Sequence, residues 1–295
     1  MGFKLLKNSE ISRDLWNQCV TSSFYPLTYG YAWYLDCICS NWYGIINDEY
    51  TFVMPLCVES KMNKLRVEHP ILVPKLGYFT KNMISKSDEE EIISILNKNF
   101  VSVKCILNKS NFFKNIELYK KTSFYLDLNL DYKTISEGYS FYLKDILKRQ
   151  TESKNYILVG ILPNEVISFL NNISFFYNEE DYNKLRRVLS YSISKRKINI
   201  YSAFSEKNQL IGVGIFLFSI FTADLILLAN TANENEIKAL IVDKFIQENA
   251  NRTMTLNFEV SEEDLWSNFG AKIYYNYELN YKNRRNIFSI FKNVK

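Results

Sequence analysis

The chain has 295 residues, more than the roughly 100–200 residues of one ordinary domain, so the sequence predicts two domains. Hydrophobic residues make up 47% of the chain and charged residues 23%, which supplies enough apolar material for a large core. The net charge of +4 is small for this length. A nucleic-acid-binding surface needs clustered Lys and Arg, so no nucleic-acid partner is predicted.

The N-terminus and the most apolar segment bear on localisation. Residues 1–7 lack the apolar core of a signal peptide. Residues 210–228 are apolar, but Gly212, Gly214 and Asp224 interrupt them, and a charge inside a membrane span is costly. We interpret this segment as two buried strands joined by an exposed turn at Thr222-Ala223-Asp224. The expectation is therefore a soluble, cytoplasmic protein with no membrane span.

The cysteines do not suggest a disulfide framework. There are five of them, all in the first 105 residues: Cys19, Cys37, Cys39, Cys57 and Cys105. The number is odd and no secretion signal precedes them, so buried thiols are predicted instead of disulfides. The chain has one histidine, His69, in a predicted loop before Pro70. No metal site is predicted.

The first half of the chain combines helices with a run of strands. Helices are predicted at residues 9–21 and 29–40, and a third begins where Ser87 and Glu90 have capping-box spacing. Strands are predicted at residues 42–46, 50–58, 65–67, 101–107 and 124–128. The second helix carries an aromatic stripe that is typical either of core packing or of a pocket wall: Tyr29, Tyr31, Trp33 and Tyr34.

The second half repeats this order of elements. Helices are predicted at residues 139–148, from Pro163 onward, and at 179–195, 236–249 and 262–268. Strands are predicted at residues 156–161, 198–204, 210–220, 224–229, 253–259 and 271–281. Each half thus has helices, a strand meander, a helix and further strands. The prediction is an α/β protein with mixed sheets and two domains, at residues 1–133 and 134–295.

Two segments resemble a known family. Residues 210–284, beginning LIGVGIF, resemble the C-terminal part of Fem-like, GNAT-related transferases. In those proteins a long helix and a strand ending in an acidic residue and Ser, here Glu259 and Ser261, precede an FGA sequence, here Phe269-Gly270-Ala271. Residues 31–56, beginning YAWYL, look like the opening of related acyltransferase-like proteins. The resemblance touches most of the chain and implies two tandem GNAT-like domains of the acyl-CoA N-acyltransferase fold.

The segment that would bind a donor departs from the family pattern. GNAT enzymes usually hold the acyl-CoA pyrophosphate with a Gln/Arg-x-x-Gly-x-Gly/Ala turn at a helix N-terminus, where backbone N–H groups meet the phosphates. Here residues 230–236 read NTANENE, without glycine or cation. Asn230 is a candidate substrate-binding residue, although helix capping also explains an Asn or Thr here. Acyl-CoA is the cofactor that the resemblance implies, and Glu234 and Glu236 predict weak or absent acetyl-CoA binding.

The candidate catalytic residues lie near the C-terminus. Glu259 ends a predicted inner strand and is a candidate general base for an incoming amine. Tyr275 is a candidate acid that protonates a leaving thiolate, and Asn257 and Ser261 are candidate substrate-binding residues. The alternatives are structural: Glu259 as the polar end of a strand, Ser261 as a helix cap, and the tyrosines of residues 274–277 as sheet packing.

Lys148 and Arg149 form a basic cluster at the end of a predicted helix. They are candidates for binding a phosphate or carboxylate, and a solvated helix C-terminus explains them equally. The resemblance implies an N-acyl or aminoacyl transferase acting on an amine of a small-molecule or peptide-like substrate. The alternative is a catalytically inactive GNAT-like protein that binds a ligand or another protein. The atypical phosphate turn favours the second function, and Asn257, Glu259 and Ser261 favour the first.

Overall fold

A computed structural model describes residues 2–114, 116–231, 235–260 and 262–282, apart from the side chain of residue 151. The chain divides into two compact units. The first contains Met1–Lys121 and Tyr275–Lys295, and the second contains Thr122–Tyr274. The division into domains at residues 133 and 134 stays a prediction.

The first unit contains a mixed sheet and three helices among its described residues. Its strands are β1 (Phe3–Lys7), β2 (Trp42–Asn47), β3 (Phe52–Lys61), β4 (Lys64–Val67), β5 (Phe79–Thr80), β6 (Ser102–Leu107) and the C-terminal part of β13 (Lys272–Lys282). They lie in the order β1-β2-β3-β4-β6-β13, with β5 beside β3. Only the β4–β6 pair of this order is parallel. The helices are α1 (Arg13–Ser22), α2 (Ala32–Ile38) and α3 (Lys86–Asn99).

The second unit has the same mixture. Its strands are β7 (Leu118–Asp127), of which the C-terminal part belongs here, β8 (Tyr156–Val159), β9 (Ile198–Phe204), β10 (Leu210–Phe218), β11 (Thr222–Asn230) and β12 (Thr255–Phe258). They lie in the order β7-β12-β11-β10-β9-β8, and only β11–β12 is parallel. The helices are α4 (Tyr132–Glu137), α5 (Phe141–Glu152), α6 (Pro163–Asn172), α7 (Glu179–Ser194), α8 (Asn235–Asn249) and α9 (Glu263–Asn268). The predicted α/β class with mixed sheets is confirmed.

Helix α8 packs closely on β10, and this explains the glycines of the LIGVGIF segment. A Cβ atom at Gly214 would lie 2.5 Å from Ile241 Cγ2, so a larger residue would push the helix away. The Phe216 and Phe245 rings stack at 3.8 Å between their centroids in this contact. Both side chains are fully buried, which places α8 and β10 at the centre of the core of this unit.

Several local predictions were wrong. The capping box of α3 is formed by Ser85 and Asp88 instead of Ser87 and Glu90: Asp88 N–H donates to Ser85 Oγ at 3.1 Å, and Ser85 N–H donates to Asp88 Oδ2 at 3.0 Å. The helix predicted at residues 29–40 is broken, because a 3-10 turn at Thr28–Gly30 precedes α2. Strand β1 and helix α4 were missed.

The aromatic stripe before and in α2 belongs largely to the core. Tyr29 and Tyr34 are fully buried, and the Tyr34 hydroxyl donates to the Leu72 carbonyl at 2.7 Å. Tyr31 is partly exposed and its hydroxyl lies 3.0 Å from Thr21 Oγ1. This arrangement favours core packing over a pocket wall.

The expectation that the cysteines do not form disulfides was wrong for one pair. Cys39 follows α2 and is bonded to Cys57 on β3, across 18 residues of sequence. Cys39 and Cys57 are brought together because residue 42, at the start of β2, lies directly opposite Cys57. Cys19, Cys37 and Cys105 are buried thiols outside this disulfide, as predicted.

Candidate active site

The pairing of two parallel strands ends within the second unit. Strand β12 pairs with β11 over four residues, ending at Leu225 opposite Phe258. Just beyond this pairing, the N–H of Glu259 donates to the Leu225 carbonyl at 3.3 Å. Strand β11 continues to Asn230, five residues further on. Ligands of mixed and parallel sheets commonly bind beyond the carboxyl ends of such strands.

Strand β11 has a bulge at this point. On its other edge, Leu225 lies opposite Phe216 and Leu227 lies opposite Ile215, so Ile226 has no residue opposite it on β10. A bulged residue leaves the regular ladder, and bulges re-aim backbone groups next to functional sites. Ile226 directly follows Leu225, the residue whose carbonyl binds the backbone of Glu259. The bulge and the Glu259 segment are therefore adjacent.

Glu259 is held by a tyrosine. The Tyr274 hydroxyl donates to Glu259 Oε1 at 3.0 Å, and both side chains are partly buried. Strand β12 ends at Phe258, so Glu259 lies immediately after the predicted strand end. The Tyr274 ring packs edge-on against Tyr125, with 5.9 Å between centroids. This contact fixes the position of the phenol, and the phenol in turn fixes the carboxylate.

Asp224 is buried, contrary to the prediction of an exposed turn. It is a residue of β11 with no exposed surface, and residues 219–221 connect β10 to β11 instead. Asn257 Nδ2 donates to Asp224 Oδ1 at 2.6 Å, and Thr222 Oγ1 donates to Oδ2 at 3.4 Å. Asp224 and Asn257 lie directly opposite each other in the parallel pair. Asn257, a predicted substrate-binding residue, is thus bound to this carboxylate two positions before Glu259.

Glu236, in the first turn of α8, forms an ion pair within the second unit. Arg149 Nη1 lies 3.1 Å from Glu236 Oε1, and Gln150 Nε2 donates to Glu236 Oε2 at 2.8 Å. Arg149 Nε also pairs with Asp145 at 3.1 Å. Glu236 lies in the first turn of α8, so its carboxylate would repel a phosphate placed at this helix N-terminus. The described residues of this helix end therefore do not fit a pyrophosphate.

The structure also gives the positions of three other predicted site residues, Tyr275, Lys148 and Asn230. Tyr275 belongs to the first unit, is exposed, and has Lys120 Nζ 3.6 Å above its ring. Lys148 lies beside Arg149 on α5, and Asn230 is the last residue of β11, opposite Gly212. Ser261 and Glu234 lie outside the described residues.

A buried cluster on α8 was not predicted from the sequence. Asp243 accepts hydrogen bonds from the hydroxyls of Tyr132, at 2.9 Å, and Tyr139, at 3.0 Å, and from Gln247 at 2.8 Å. Burial raises the pKa of the Asp243 carboxyl and raises the pKa of Tyr132 to about 12. Burial is the largest cause for both groups, and the full set of donors indicates a structural clamp between α8 and the α4–α5 region.

Comparisons with known proteins relate this arrangement to solved structures. No protein-family model and no curated protein matches the sequence. A structure of FemX superposes with a TM-score of 0.61 at 7% identity, covering 98% of this chain and 99% of that chain. A tandem GNAT protein from the clavulanic acid biosynthesis pathway gives 0.55 at 8% identity, covering 95% and 98%. N-myristoyltransferase from Saccharomyces cerevisiae gives 0.52 at 11% identity, covering 95% and 80%.

These similarities show the fold. The chain has the fold of Fem-like and GNAT-related acyl-CoA N-acyltransferases, as the resemblance predicted. At 7–11% identity these structures say nothing about the substrate of this chain. Within the part of the chain that is described, no helix combines the length and apolar character needed to cross a bilayer.

Proposed function

We propose that this chain is an N-acyltransferase or aminoacyltransferase that forms an amide on the amine of a small-molecule or peptide-like substrate. The observation that carries the proposal is the Tyr274–Glu259 hydrogen bond of 3.0 Å where β12 ends beside the bulge of β11. A carboxylate held where a parallel strand pair ends is suited to deprotonate an amine.

The residues of the second unit supply three elements of the reaction. The amine nitrogen attacks the acyl carbonyl of an activated ester or thioester, and Glu259 accepts its proton. Ile226, which has no residue opposite it on β10, is the proposed source of a backbone N–H for the oxyanion that forms. The leaving group departs with a proton returned from Glu259 through Tyr274. Tyr274 takes the role assigned from the sequence to Tyr275, because its hydroxyl contacts the base.

The activated donor is an ester or a thioester, and the group that carries the acyl or aminoacyl moiety is not assigned. Glu236 is bound by Arg149 and Gln150 in the first turn of α8, where its charge would repel a pyrophosphate, so no step is assigned to acyl-CoA. Asn230, Lys148 and Ser261 remain proposed substrate-binding residues. The division into tandem domains at residues 133 and 134 remains a proposal.

The same ion pair favours the second candidate function, a binding protein without catalysis. If Glu236 excludes a pyrophosphate from the N-terminus of α8, the chain keeps its fold but does not bind an acyl-CoA donor. The two functions differ in the expected chemistry. A transferase forms a new amide from a donor and an amine, and a binding protein forms none.

The test is a product assay by mass spectrometry. The full chain is incubated with panels of acyl thioesters and aminoacyl esters and with panels of amines. We expect an amide product that forms only when the protein is present. Turnover should be about 10²–10⁴-fold lower for Glu259→Gln, which is the usual range for the loss of general acid–base catalysis. Glu263→Gln, which changes a carboxylate in the first turn of α9, is the matched control. An active Glu259→Gln variant with an unchanged rate would remove Glu259 from the mechanism.

Cytoplasmic localisation is also a proposal. Disulfides are rare in the cytosol, so the Cys39–Cys57 bond is the feature that tests it. Thiol labelling of the chain in intact cells should find Cys39 and Cys57 reduced if the chain works in the cytoplasm. Two blocked thiols would place it in an oxidising compartment.

A further inference from the structure

The turn between β10 and β11, at residues 219–221, presents two large apolar side chains. Ile220 is 44% exposed and Phe221 is 57% exposed. The Ser219 N–H donates to the Thr222 carbonyl at 2.8 Å and closes the turn. Turns are usually built from Gly, Pro, Asn, Asp and Ser, so the closure itself does not require apolar residues. Large apolar side chains that are exposed next to each other indicate contact with an apolar partner or a membrane.

A basic segment lies directly beside this turn. Residues 195–197, which join α7 to β9, read Lys-Arg-Lys. The Phe218 N–H donates to the Lys197 carbonyl at 2.7 Å, so the basic segment is bonded to the residue that precedes the turn. Arg196 is exposed and Lys197 is partly exposed, and neither side chain forms an ion pair with another described residue. Two positive charges without a counter-charge therefore lie next to the apolar turn.

A third cation lies on the other side of the turn. The Thr255 N–H donates to the Phe221 carbonyl at 3.1 Å, and Arg252 lies three residues earlier in the same segment. Arg252 is exposed and has no ion pair in the part of the chain that the structure describes. The neighbouring Asn251 N–H donates to the carbonyl of Leu130 at 2.9 Å, and Leu130 is itself 48% exposed. The apolar turn thus has unpaired cations on both sides.

The surface carboxylates of the adjoining strand and helix ends are mostly paired. Lys272 Nζ lies 2.9 Å from Asp127 Oδ2, at the end of β7. Lys244 Nζ lies 3.1 Å from Glu248 Oε1, in the last turn of α8. Asp131 caps the N-terminus of α4 and is the carboxylate of these three without a cation partner among the described residues. The charge around the turn is therefore positive.

We propose that this surface of the second unit docks peripherally on an anionic phospholipid membrane. The docking surface consists of five side chains: Arg196, Lys197, Ile220, Phe221 and Arg252. Its cations bind the phosphate and carboxylate groups of the lipids, and its apolar pair enters the boundary between the headgroups and the acyl chains. A nucleic acid would match the cations and leave the apolar pair in water. The inference does not depend on the proposed function, because none of these residues takes part in the proposed reaction.

The experiment is flotation of the full chain with lipid vesicles. One set contains phosphatidylcholine alone, and the other contains phosphatidylcholine with about 30 mol% phosphatidylserine. We expect the chain to float with the anionic vesicles only. The bound fraction should fall as the salt concentration rises from about 0.05 M to about 0.3 M, because salt screens the attraction between the cations and the lipids. Equal binding to both sets, or no binding to the anionic vesicles at low salt, would overturn the proposal.

Matched charge variants locate the docking surface. Arg196→Gln/Arg252→Gln should weaken partitioning onto the anionic vesicles about 30-fold, because each cation near such a surface contributes about fivefold. The control, Lys154→Gln/Lys207→Gln, removes the same charge from two exposed residues of the same unit. Lys154 has φ +56° where Arg196 has +55°, and Lys207 lies in the turn at residues 205–209, at the opposite end of β10. An equal loss in the control would show a response to net charge alone and refute the docking surface.

An apolar variant distinguishes a membrane from an acidic protein partner. Phe221→Ala should weaken binding to the anionic vesicles about 5- to 10-fold, because less apolar surface then leaves water. Tyr177→Ala is the control, since it truncates a fully exposed aromatic residue that precedes α7, at the other end of that helix from Arg196, and it should have no effect. A loss for the charge variant with none for Phe221→Ala would assign the surface to an acidic soluble partner and overturn the membrane as its ligand. Each of these outcomes is independent of the Glu259 assay.

Discussion

Asn257 donates a 2.6 Å hydrogen bond to Asp224 inside the second unit, and both side chains are buried. Replacing Asn257 with Ala removes a donor from a buried carboxylate, which costs more than the loss of an ordinary hydrogen bond. We expect Asn257→Ala to lower the free energy of unfolding by about 3 kcal/mol in urea titrations. Asn280→Ala, at an exposed position of β13, should change it by less than about 0.5 kcal/mol. A similar small change for both variants would contradict a structural role for the pair.

The hydrogen bond from the Tyr274 hydroxyl to Glu259 should contribute to turnover. Tyr274→Phe keeps the ring contact with Tyr125 and removes the hydrogen bond to Glu259. A hydrogen bond to a charged group contributes about 1.5–3 kcal/mol, so turnover in the amide assay should fall about 10- to 100-fold. Tyr275→Phe, whose residue lies on the opposite face of β13, should have a smaller effect. A larger loss for Tyr275→Phe would return the acid role to Tyr275.

Glu236 should control the binding of acetyl-CoA. We expect the wild type to show no micromolar affinity in calorimetry, because Glu236 lies at the N-terminus of α8 and repels a pyrophosphate. Glu236→Gln removes this charge and leaves Arg149 available to the phosphates, so affinity should rise by about tenfold or more. Micromolar binding by the wild type would show that the atypical turn does not exclude acetyl-CoA.

Elements whose signal lies in the local sequence were predictable. The span of β9 at Ile198–Phe204 was predicted to the residue, and α7 at Glu179–Ser194 within one residue, because alternation and an acidic first turn mark them. The position of Glu259 at the end of an inner strand was also predictable, because apolar residues precede it.

The errors concern two kinds of feature. Some depend on residues that are distant in the sequence, and others depend on a choice between two local patterns that fit equally well. Asp224 was assigned to a turn because a charge in an apolar run favours exposure, and its partner Asn257 is 33 residues away. The Cys39–Cys57 bond depends on the register of β2 with β3, which no local pattern contains. The capping box shifted by two residues because two Ser-to-acid pairs with the same spacing overlap at the start of α3. The phenol that binds Glu259 depends on where β13 lies, which left two adjacent tyrosines indistinguishable.

The Cys39–Cys57 bond should stabilise the first unit. It closes a segment of 18 residues, and a crosslink of this length restricts the unfolded chain by about 3 kcal/mol. Cys57→Ser should therefore lower the free energy of unfolding by about 2–4 kcal/mol in the absence of reductant. Under reducing conditions the wild type should lose about the same amount. Reductant added to Cys57→Ser is the control, because this variant lacks the Cys39–Cys57 bond and should change by less than about 0.5 kcal/mol, and a loss as large as that of the wild type would contradict a role for the disulfide.

His69 should make stability depend on pH. The Ile106 N–H donates to His69 Nδ1 at 3.2 Å, and Nε2 lies 2.5 Å from the Val73 carbonyl, so both ring nitrogens suit a neutral imidazole with its proton on Nε2. The pKa of His69 is lowered to about 4, chiefly by burial, and the charges of Lys121 and Lys104 contribute to this shift. Protonation would place a second N–H against that of Ile106.

Because the pKa of His69 is lower in the folded chain than its ordinary value of about 6.5, the unfolded chain takes up a proton first as the pH falls. Stability from this group is therefore complete above about pH 6.5 and is lost progressively down to about pH 4. Between pH 7.5 and pH 5 the loss should reach about 2 kcal/mol, measured as the free energy of unfolding in urea. His69→Gln removes the only histidine, so its stability should change by about 2 kcal/mol less over the same range. Parallel pH profiles for the wild type and His69→Gln would show that His69 ionises freely in the folded chain.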